Sequence, residues 1–266
     1  MRLVYLLDEF RVRWNTRVRG KPARPSRRLI DMVGGGDFDA VGQKLFRHLT
    51  QFGGLGPGDR ILDIGCGCGR VAVPMMGYLE GGSYFGFDVS KSAIDWCRKH
   101  ITAKDARFEF AAVDIRNKYY NPKGRIEPGA VRFPYPDGSF DLAFATSVFT
   151  HLLPAAVELY LRETARVLAP GGRLFATFFL LNDETRAALR ERRQGLSFRH
   201  DRPDHACEDA DRPELAVAYP EPQIRERLER HGFRLGAPIR FGAWRKSEAD
   251  LIDLAYQDII LAVKNR

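Results

Sequence analysis

Between residues 38 and 180 the chain alternates between two hydrophobic patterns. Short apolar runs that suit buried β-strands are separated by segments whose apolar residues recur every three or four positions, as in amphipathic helices. The predicted strands cover residues 60–64, 83–88, 108–114, 142–145 and 173–180. The predicted helices cover residues 38–52, 69–79, a segment capped by Ser90 or Ser92, and 154–168. Strands that alternate with helices predict an α/β fold with a doubly wound, mostly parallel sheet.

The pattern changes after residue 181. A charged helix is predicted at residues 183–193, a polar loop at 195–213 and another helix at 221–230, before two final strands at 233–241 and 259–264. We therefore predict an N-terminal extension followed by a single domain with two insertions, and we expect specificity to lie in the insertions. The extension is residues 1–37, the domain is residues 38–266, and the insertions are residues 115–132 and 181–231.

Composition restricts the class of protein. A chain of 266 residues with 44% hydrophobic content is long enough to bury a full core. No apolar run approaches the roughly 18–20 residues of a membrane-spanning helix, and the first residues lack the features of a signal peptide. Four cysteines are too few for a disulfide scaffold of this size. The composition predicts a cytoplasmic protein.

Most of the net charge of +8 lies near the N-terminus. The first 28 residues contain nine arginines and lysines against two acidic residues. A basic arm of this kind suits contact with nucleic acid, an anionic membrane or an acidic substrate. We interpret it as a solvated extension, because chain ends are commonly solvated and poorly ordered.

A turn of alternating glycines follows the first predicted strand. Gly65, Gly67 and Gly69 let the backbone approach a ligand closely, because glycine tolerates positive φ. The spacing excludes two phosphate-binding motifs, since Arg70 stands where the dinucleotide pattern has its third glycine and no Gly-Lys-Ser/Thr follows. Asp63, two residues before the first glycine, would repel a pyrophosphate but suits an ammonium group.

Polar residues also end the next three predicted strands. Asp88 ends the second strand, Asp114 the third, and Thr146 with Ser147 the fourth. Ligands of parallel α/β sheets bind beyond the carboxyl ends of the strands, so we expect these side chains at one site.

The pattern Asp63-x-Gly65-x-Gly67-x-Gly69 resembles the first motif of the class I S-adenosylmethionine-dependent methyltransferases. Residues 133–141 and 166–174 are similar to two further segments of that family, and the matched motifs cover about residues 40–180. The resemblance implies a methyltransferase with a seven-stranded, Rossmann-like sheet whose last strand is antiparallel, and S-adenosylmethionine as its cofactor. The cofactor-binding residues that it implies are Asp63, Gly65, Cys66, Gly67, Gly69, Arg70, Asp88, Val89, Ser90, Asp114, Ile115, Thr146 and Ser147. The resemblance implies that Asp88 accepts from the ribose, that Asp114 with Ile115 contacts the adenine, and that Arg70 or the basic arm pairs with the cofactor carboxylate.

Candidate substrate residues lie after the fourth strand and beyond residue 195. His151 is predicted to act as a general base or substrate ligand, because histidine most often has this role near neutral pH. A packed histidine that caps its loop is the structural alternative. The other substrate candidates are His200, His205, Tyr219 and Trp244. The spacing of the histidines in this region matches no strong zinc pattern, so no metal is predicted.

We predict methyl transfer to an oxygen of a small molecule or sugar-like metabolite, with S-adenosylhomocysteine as product. The fourth strand is not followed by Asn/Asp-Pro-Pro-Tyr, typical of amino-directed nucleic-acid methyltransferases, or by the Pro-Cys pair of cytosine-C5 enzymes. A nucleic-acid partner is therefore not favoured. Two alternatives stay open, a nucleic-acid or lipid-linked methyltransferase and a catalytically silent regulatory subunit that binds the cofactor. The sequence contains no signal for the acceptor or for the oligomeric state.

Overall fold

The computed structural model describes residues 24–118, 120–191, 195–245 and 256–266. Most of the predicted basic arm therefore lies outside the described residues. Within the described ranges, no helix is both long enough and apolar enough to cross a membrane. The chain divides into two compact units, one that ends at Ile126 and one that begins at Glu127.

The first unit contains parallel strands with helices before and between them. Its strands are β1 (Arg60–Ile64), β2 (Ser83–Asp88) and β3 (Phe108–Ala112). Its helices are α1 (Arg27–Met32), α2 (Phe38–Gln51), α3 (Ala72–Met75) and α4 (Lys91–Cys97), which continues as a π-helical turn at Arg98–Thr102. Strand β2 pairs in parallel with both neighbours, and the Tyr84 ring stacks on the Phe108 ring with centroids 5.2 Å apart.

Local chemistry explains where these helices begin and end. Helix α2 begins as predicted because Asp37 Oδ1 accepts the Ala40 N–H at 2.8 Å, a standard N-cap. The helix predicted at residues 69–79 shortens to α3, because Pro74 lacks an N–H donor and Gly77 disfavours helix. Helix α1, in the predicted extension, begins after the N-cap Ser26, whose Oγ accepts the Leu29 N–H at 3.3 Å.

The second unit contains the remaining strands and three α-helices among its described residues. The strands are β4 (Phe140–Ala145), β5 (Leu168–Phe178), β6 (Leu180–Leu181), β7 (His200–Asp201), β8 (Ala206–Cys207), β9 (Val217–Pro220), β10 (Phe233–Leu235) and β11 (Asp258–Lys264). The helices are α5 (Pro154–Val167), α6 (Asp183–Glu191) and α7 (Glu221–Arg230). Short 3₁₀ turns lie at Pro128–Ala130, Phe149–His151, Pro213–Leu215 and Ala243–Arg245.

The central sheet has seven strands in the order β10-β11-β5-β4-β1-β2-β3. Strands β4 and β5 pair in parallel, whereas β11 is antiparallel to both β5 and β10. The predicted fold class, including the antiparallel last strand, is confirmed. The strand predicted at residues 233–241 ends at Leu235 because Gly236 and Pro238 follow, and proline cannot donate to a ladder.

A second, four-stranded sheet has the order β6-β9-β8-β7. It passes through residues 195–213, where the sequence predicts only a polar loop, and that prediction is wrong for β7 and β8. Ala206 in β8 is fully buried in an apolar cluster with Phe179, Phe198 and Trp244. Two-residue strands among charged residues have no periodic pattern, so sequence alone does not indicate them.

Candidate functional site

The glycine turn, residues 65–69, leaves β1 with three residues in the left-handed region. Gly65, Gly67 and Gly69 have φ angles of 74°, 52° and 73°, which other residues adopt rarely. The N–H groups of residues 65 and 66 both donate to the Phe87 carbonyl, at 2.9 and 3.0 Å. These hydrogen bonds therefore hold the turn against the end of β2, where Asp88 lies.

Protein neighbours also leave little room for a side chain at two of these glycines. A Cβ on Gly69 would lie 2.5 Å from Ile101 Cδ1 and 3.1 Å from Cys97 Sγ. A Cβ on Gly67 would lie 3.1 Å from the Cβ of Val33, in the segment after α1. The third glycine of the motif thus permits close packing of the turn against the end of α4.

Asp88 fixes the conformation of the turn. Its Oδ2 accepts the Gly67 N–H and its Oδ1 accepts the Ser90 N–H, both at 2.8 Å. Burial raises the pKa of the Asp88 carboxyl, although the N–H groups of Ser90, Gly67 and Val89 lower it. A carboxylate offers about four lone-pair sites, so Asp88 keeps acceptor capacity for ribose hydroxyls, and that role stays a prediction.

Asp63 is a buried carboxyl at the end of β1. Only 2% of the residue is exposed, and the Tyr84 hydroxyl donates to its Oδ2. Burial raises the pKa of Asp63 to about 8, Tyr84 lowers it, and the charge of Asp88 raises it. A positively charged ligand group beside Asp63 would stabilise its ionised form, so the residue fits the predicted ammonium partner.

Asp63 is expected to make the stability of the unliganded protein depend on pH. Its pKa rises from 3.8 to about 8 in the folded state, so the stabilisation it contributes is complete below 3.8 and is lost as the pH rises through about 8. Denaturant unfolding at pH 5 and pH 8 should show wild type losing more stability than Asp63→Asn. In the control Asp105→Asn the loss should equal that of wild type, because Arg107 lowers the pKa of Asp105. Equal losses in wild type and Asp63→Asn would contradict the assignment.

Three buried thiols surround the backbone of the turn. The Cys66 and Cys97 thiols approach the Gly67 carbonyl, with sulfur–oxygen distances of 3.8 and 3.6 Å. Burial raises the pKa of Cys68 to about 12 and raises the pKa values of Cys66 and Cys97 well above that of an ordinary thiol. These cysteines are therefore protonated, small packing residues.

Arg70 binds the protein's own backbone in this structure. Its Nη2 donates to the Gly35 carbonyl at 2.5 Å, and a Cβ on Gly42 of α2 would lie 2.3 Å from the Arg70 carbonyl oxygen. Burial lowers the pKa of Arg70, while Cys68 and Asp37 raise it. The predicted contact between Arg70 and a cofactor carboxylate stays untested, and the guanidinium has a different partner here.

The first insertion folds back onto Asp114. Arg125 Nε donates to its Oδ2 at 2.6 Å and Asn121 Nδ2 approaches its Oδ1 at 3.3 Å, and these two contacts lower the pKa of Asp114. Ile115 is buried and forms a β-bridge with Ile126. An adenine would therefore meet an Asp114 that is already paired, and its role remains a prediction.

In the second unit, Ser147 has an unusual backbone conformation. Its φ is 57°, which is uncommon for a residue other than glycine and is found at functional sites. Its N–H donates to Thr177 Oγ1 at 2.8 Å, and its Oγ donates to Gln257 Oε1 at 3.0 Å. Thr146, which directly follows β4, is partly buried. Neither Thr177 nor Gln257 was predicted as a site residue. The sequence marks Gln257 only by its position just before the last strand, and it does not mark Thr177.

His151 ends the 3₁₀ turn after β4, and the Glu214 carbonyl orients its ring. The distance from His151 Nδ1 to this oxygen is 2.9 Å. A carbonyl only accepts hydrogen bonds, so Nδ1 holds the proton and Nε2 of the neutral ring is a hydrogen-bond acceptor. The arrangement suits a general base at Nε2.

The other predicted substrate residues differ in exposure. His200 is exposed on β7, whereas His205 is buried, with its Nδ1 2.7 Å from Asp204 Oδ1. The rings of His205 and Tyr219 lie together, with centroids 6.5 Å apart. Tyr219 is fully buried, and its hydroxyl donates to the Leu152 carbonyl. Among the described residues, no group of three or more His, Cys, Asp or Glu side chains could hold a metal ion.

Trp244 is held by a buried carboxylate that sequence reasoning missed. Asp258 is 0% exposed and accepts three hydrogen bonds, from the Leu180 N–H at 2.7 Å, the Gly242 N–H at 2.6 Å and Trp244 Nε1 at 2.9 Å. Burial raises the pKa of Asp258 to about 6, and the three donors lower it. Trp244 is fully buried as well, so both residues have a structural explanation, and the substrate role of Trp244 stays a prediction.

Comparison with known proteins gives similarities over the central part of the chain. Residues 62–176 match a family described as "Methyltransferase domain". The 27-O-demethylrifamycin SV methyltransferase of Amycolatopsis mediterranei is 36% identical over 48% of this chain and 41% of its own length. The fatty-acid O-methyltransferase of Mycolicibacterium smegmatis is 30% identical over 47% of this chain and 37% of its own. A tRNA N(3)-cytidine methyltransferase of Gallus gallus is 27% identical over 50% and 33%.

The match thus spans less than half of the length of each of these relatives. Solved structures resemble the fold over more of the chain. The PH0226 protein from Pyrococcus horikoshii OT3 has a TM-score of 0.56 at 15% identity, over 88% of this chain and 93% of its own. The [4+2]-cyclase SpnF has a TM-score of 0.54 at 20% identity, over 89% and 93%.

Proposed function

We propose that this chain, whose residues 62–176 match a family described as "Methyltransferase domain", is a class I S-adenosylmethionine-dependent methyltransferase that methylates an oxygen of a small molecule. The main support is one juxtaposition in the first unit, a turn of left-handed glycines that follows the buried carboxyl of Asp63. A zwitterionic, phosphate-free cofactor suits such a turn, because its ammonium group would stabilise the ionised carboxylate.

Different residues of the protein would then contact different parts of the cofactor. We propose that Asp63 holds the ammonium group, that Asp88 accepts from the ribose, and that Asp114 with Ile115 contacts the adenine. Asp88 suits its role because backbone N–H groups already orient both of its oxygens. When bound, S-adenosylmethionine supplies a sulfonium methyl group that a nucleophile displaces in line, so the protein mainly provides alignment.

His151 is the proposed general base for a hydroxyl acceptor. Its Nδ1–H···O=C bond to Glu214 fixes the ring and leaves Nε2 to take the proton of the hydroxyl. Ligands of a parallel sheet bind beyond the carboxyl ends of its strands, and His151 follows β4 by six residues. Ser147, which lies closer to the end of β4, is proposed to line the same edge together with Thr146.

Transfer to oxygen is favoured by the relatives that are similar to this chain. Two of them are named for O-methylation, of a demethylrifamycin and of fatty acids. The tRNA methyltransferase among the relatives keeps a nucleic-acid acceptor as the second candidate, and the cyclase with the same fold shows that the fold alone does not fix the reaction. Cytoplasmic residence is part of the proposal, since all four cysteines are free.

A transfer assay with S-adenosylmethionine labelled in its methyl group tests the proposal. The acceptor panel should contain hydroxylated macrolides and polyketides, fatty acids, simple sugars and unmodified tRNA. We expect label in a small-molecule fraction. A methyl ether would keep the label in mild base, whereas a methyl ester would lose it. Label in tRNA would replace the small-molecule proposal, and binding of S-adenosylhomocysteine without any transfer would favour the silent subunit.

Binding of S-adenosylhomocysteine at pH 7 is expected to release a proton. Asp63, with its pKa raised to about 8 by burial, is mostly protonated before binding, and the ligand's ammonium group would ionise it. Calorimetry in buffers of different ionisation enthalpy should show up to about one proton released per ligand. Neither 5′-methylthioadenosine, which lacks the ammonium group, nor the Asp63→Asn variant should show it. A binding enthalpy that is the same in all buffers would remove Asp63 from this role.

A further inference from the structure

The segment that joins α1 to α2 lies against the glycine turn. A Cβ on Gly67 would stand 3.1 Å from Val33 Cβ and 3.3 Å from Val33 Cγ2, so the valine covers the turn where the backbone is bare. Leu29 and Ile30 of α1 are buried in one apolar cluster with Cys68, itself a residue of the turn. We call residues 33–36 the strap.

Arg70 also connects the strap to the turn. It follows the turn directly, and its Nη2 donates to the Gly35 carbonyl at 2.5 Å. Hydrogen bonds from a charged donor are about twice as strong as neutral ones. Asp37, which begins α2 just after the strap, attracts the same guanidinium. A single arginine therefore links the first residue after the turn to the middle of the strap.

The strap has the composition of a hinge between two anchored helices. Gly34, Gly35 and Gly36 have φ angles of 101°, 64° and 79°, and a Cβ on Gly34 would meet no atom within 4 Å. Packing therefore does not demand glycine at position 34. A run of three glycines keeps high backbone freedom, so the strap can move once its bond to Arg70 is broken.

We propose that the strap is one wall of the cofactor site and that Arg70 is the positioning residue that keeps it closed. The inference rests on the proposed function, since it takes the glycine turn as the place where S-adenosylmethionine binds. Arg70 then acts on the cofactor through Gly35 and Val33, not through an ion pair with the cofactor carboxylate. Cofactor exchange would require the Arg70–Gly35 bond to open.

The dissociation rate of S-adenosylhomocysteine from the full chain tests this. In Arg70→Ala we expect dissociation about tenfold faster or more, the effect of losing one charge-assisted hydrogen bond. Arg70→Lys, which can still donate to the Gly35 carbonyl, should restore part of the wild-type rate. Val33→Ala, which leaves every charge in place, should speed dissociation several-fold. The matched control is Arg98→Ala, because Arg98 also donates to a backbone carbonyl, but to that of Phe110 in β3, at 2.9 Å, and not to one in the strap.

Hydrogen exchange distinguishes the strap from a direct ion pair. Amides of residues 26–37 should exchange faster in Arg70→Ala than in wild type before any ligand is added, and the ligand should slow them in wild type. Dissociation of 5′-methylthioadenosine, which has no carboxylate, should also be faster in Arg70→Ala.

Three results would overturn the inference. They are an Arg70→Ala dissociation rate within twofold of wild type, unchanged exchange of residues 26–37, and an effect confined to ligands with a carboxylate. If Arg70→Ala does not fold, the dissociation rates of Arg70→Lys and Val33→Ala decide the question, and wild-type rates in both would overturn the inference. Wild-type protein that binds no S-adenosylhomocysteine would instead refute the proposed function.

Discussion

Replacing Asp258 with alanine is expected to lower the free energy of unfolding by about 3 kcal/mol or more. The change removes a fully buried acceptor and leaves three donors, on Leu180, Gly242 and Trp244, without their partner. Each buried donor left unsatisfied costs about 1–3 kcal/mol. The relief of burying one fewer carboxyl offsets part of this, so the sum of the three losses is an upper limit. Denaturant unfolding followed by fluorescence of the buried Trp244 measures the change.

The penalty of Asp258→Ala should be greater at pH 4 than at pH 7. The folded-state pKa of Asp258 is raised from 3.8 to about 6, so its contribution to stability is complete below 3.8 and declines as the pH rises through about 6. Asp209→Ala is the matched control, because Asp209 also accepts backbone N–H groups, those of Asp211 and Arg212, but is only partly buried. A loss no larger than that of the control would show that Asp258 does not anchor this region.

The His151→Asn variant is expected to lose about 10²–10⁴-fold in kcat, the usual range for a general base. Asparagine can place an amide N–H where Nδ1 donates to the Glu214 carbonyl, but it has no counterpart of Nε2. The loop should therefore keep its shape while the proton acceptor disappears. Initial rates with an acceptor found in the transfer assay measure the effect.

Binding measurements separate a catalytic loss at His151 from a structural one. The affinity of His151→Asn for S-adenosylhomocysteine should stay within about twofold of wild type, and KM for the acceptor should change far less than kcat. His231→Asn is the control, since His231 is a half-buried histidine paired with Glu158, at 2.7 Å, on another part of the second unit. A kcat within about threefold of wild type in His151→Asn would return this residue to its packing role.

The elements of the central sheet were predictable because glycine, proline or capping residues stand at the ends of their apolar runs. Strand β1 has the predicted bounds, and α2 begins at the aspartate that caps it. Helix α1 was not predicted. It has fewer than two turns, and its two buried residues, Leu29 and Ile30, are adjacent in the sequence and follow two arginines. A two-residue apolar pair gives no period, so only the packing against Cys68 shows what it does.

The chemistry of the site was predictable as residue types but not as partners. The carboxylates at the ends of β1 and β2 were found from strand ends and glycine spacing. The partner of Arg70 is a main-chain carbonyl 35 residues earlier in the chain, and the partners of Asp114 lie in an insertion. Every residue has a main-chain carbonyl, so the residue type does not indicate which carbonyl accepts a hydrogen bond. Such contacts can be identified only from the folded structure.

The protonated thiols of the glycine turn affect the chemical safety of the proposed site. S-adenosylmethionine is an alkylating agent, and a thiolate is among the best nucleophiles in a protein, whereas a thiol reacts slowly. Burial holds Cys66, Cys68 and Cys97 in the thiol form by raising their pKa values. The same apolar packing that shapes the turn would thereby protect the protein from methylation by its own proposed cofactor.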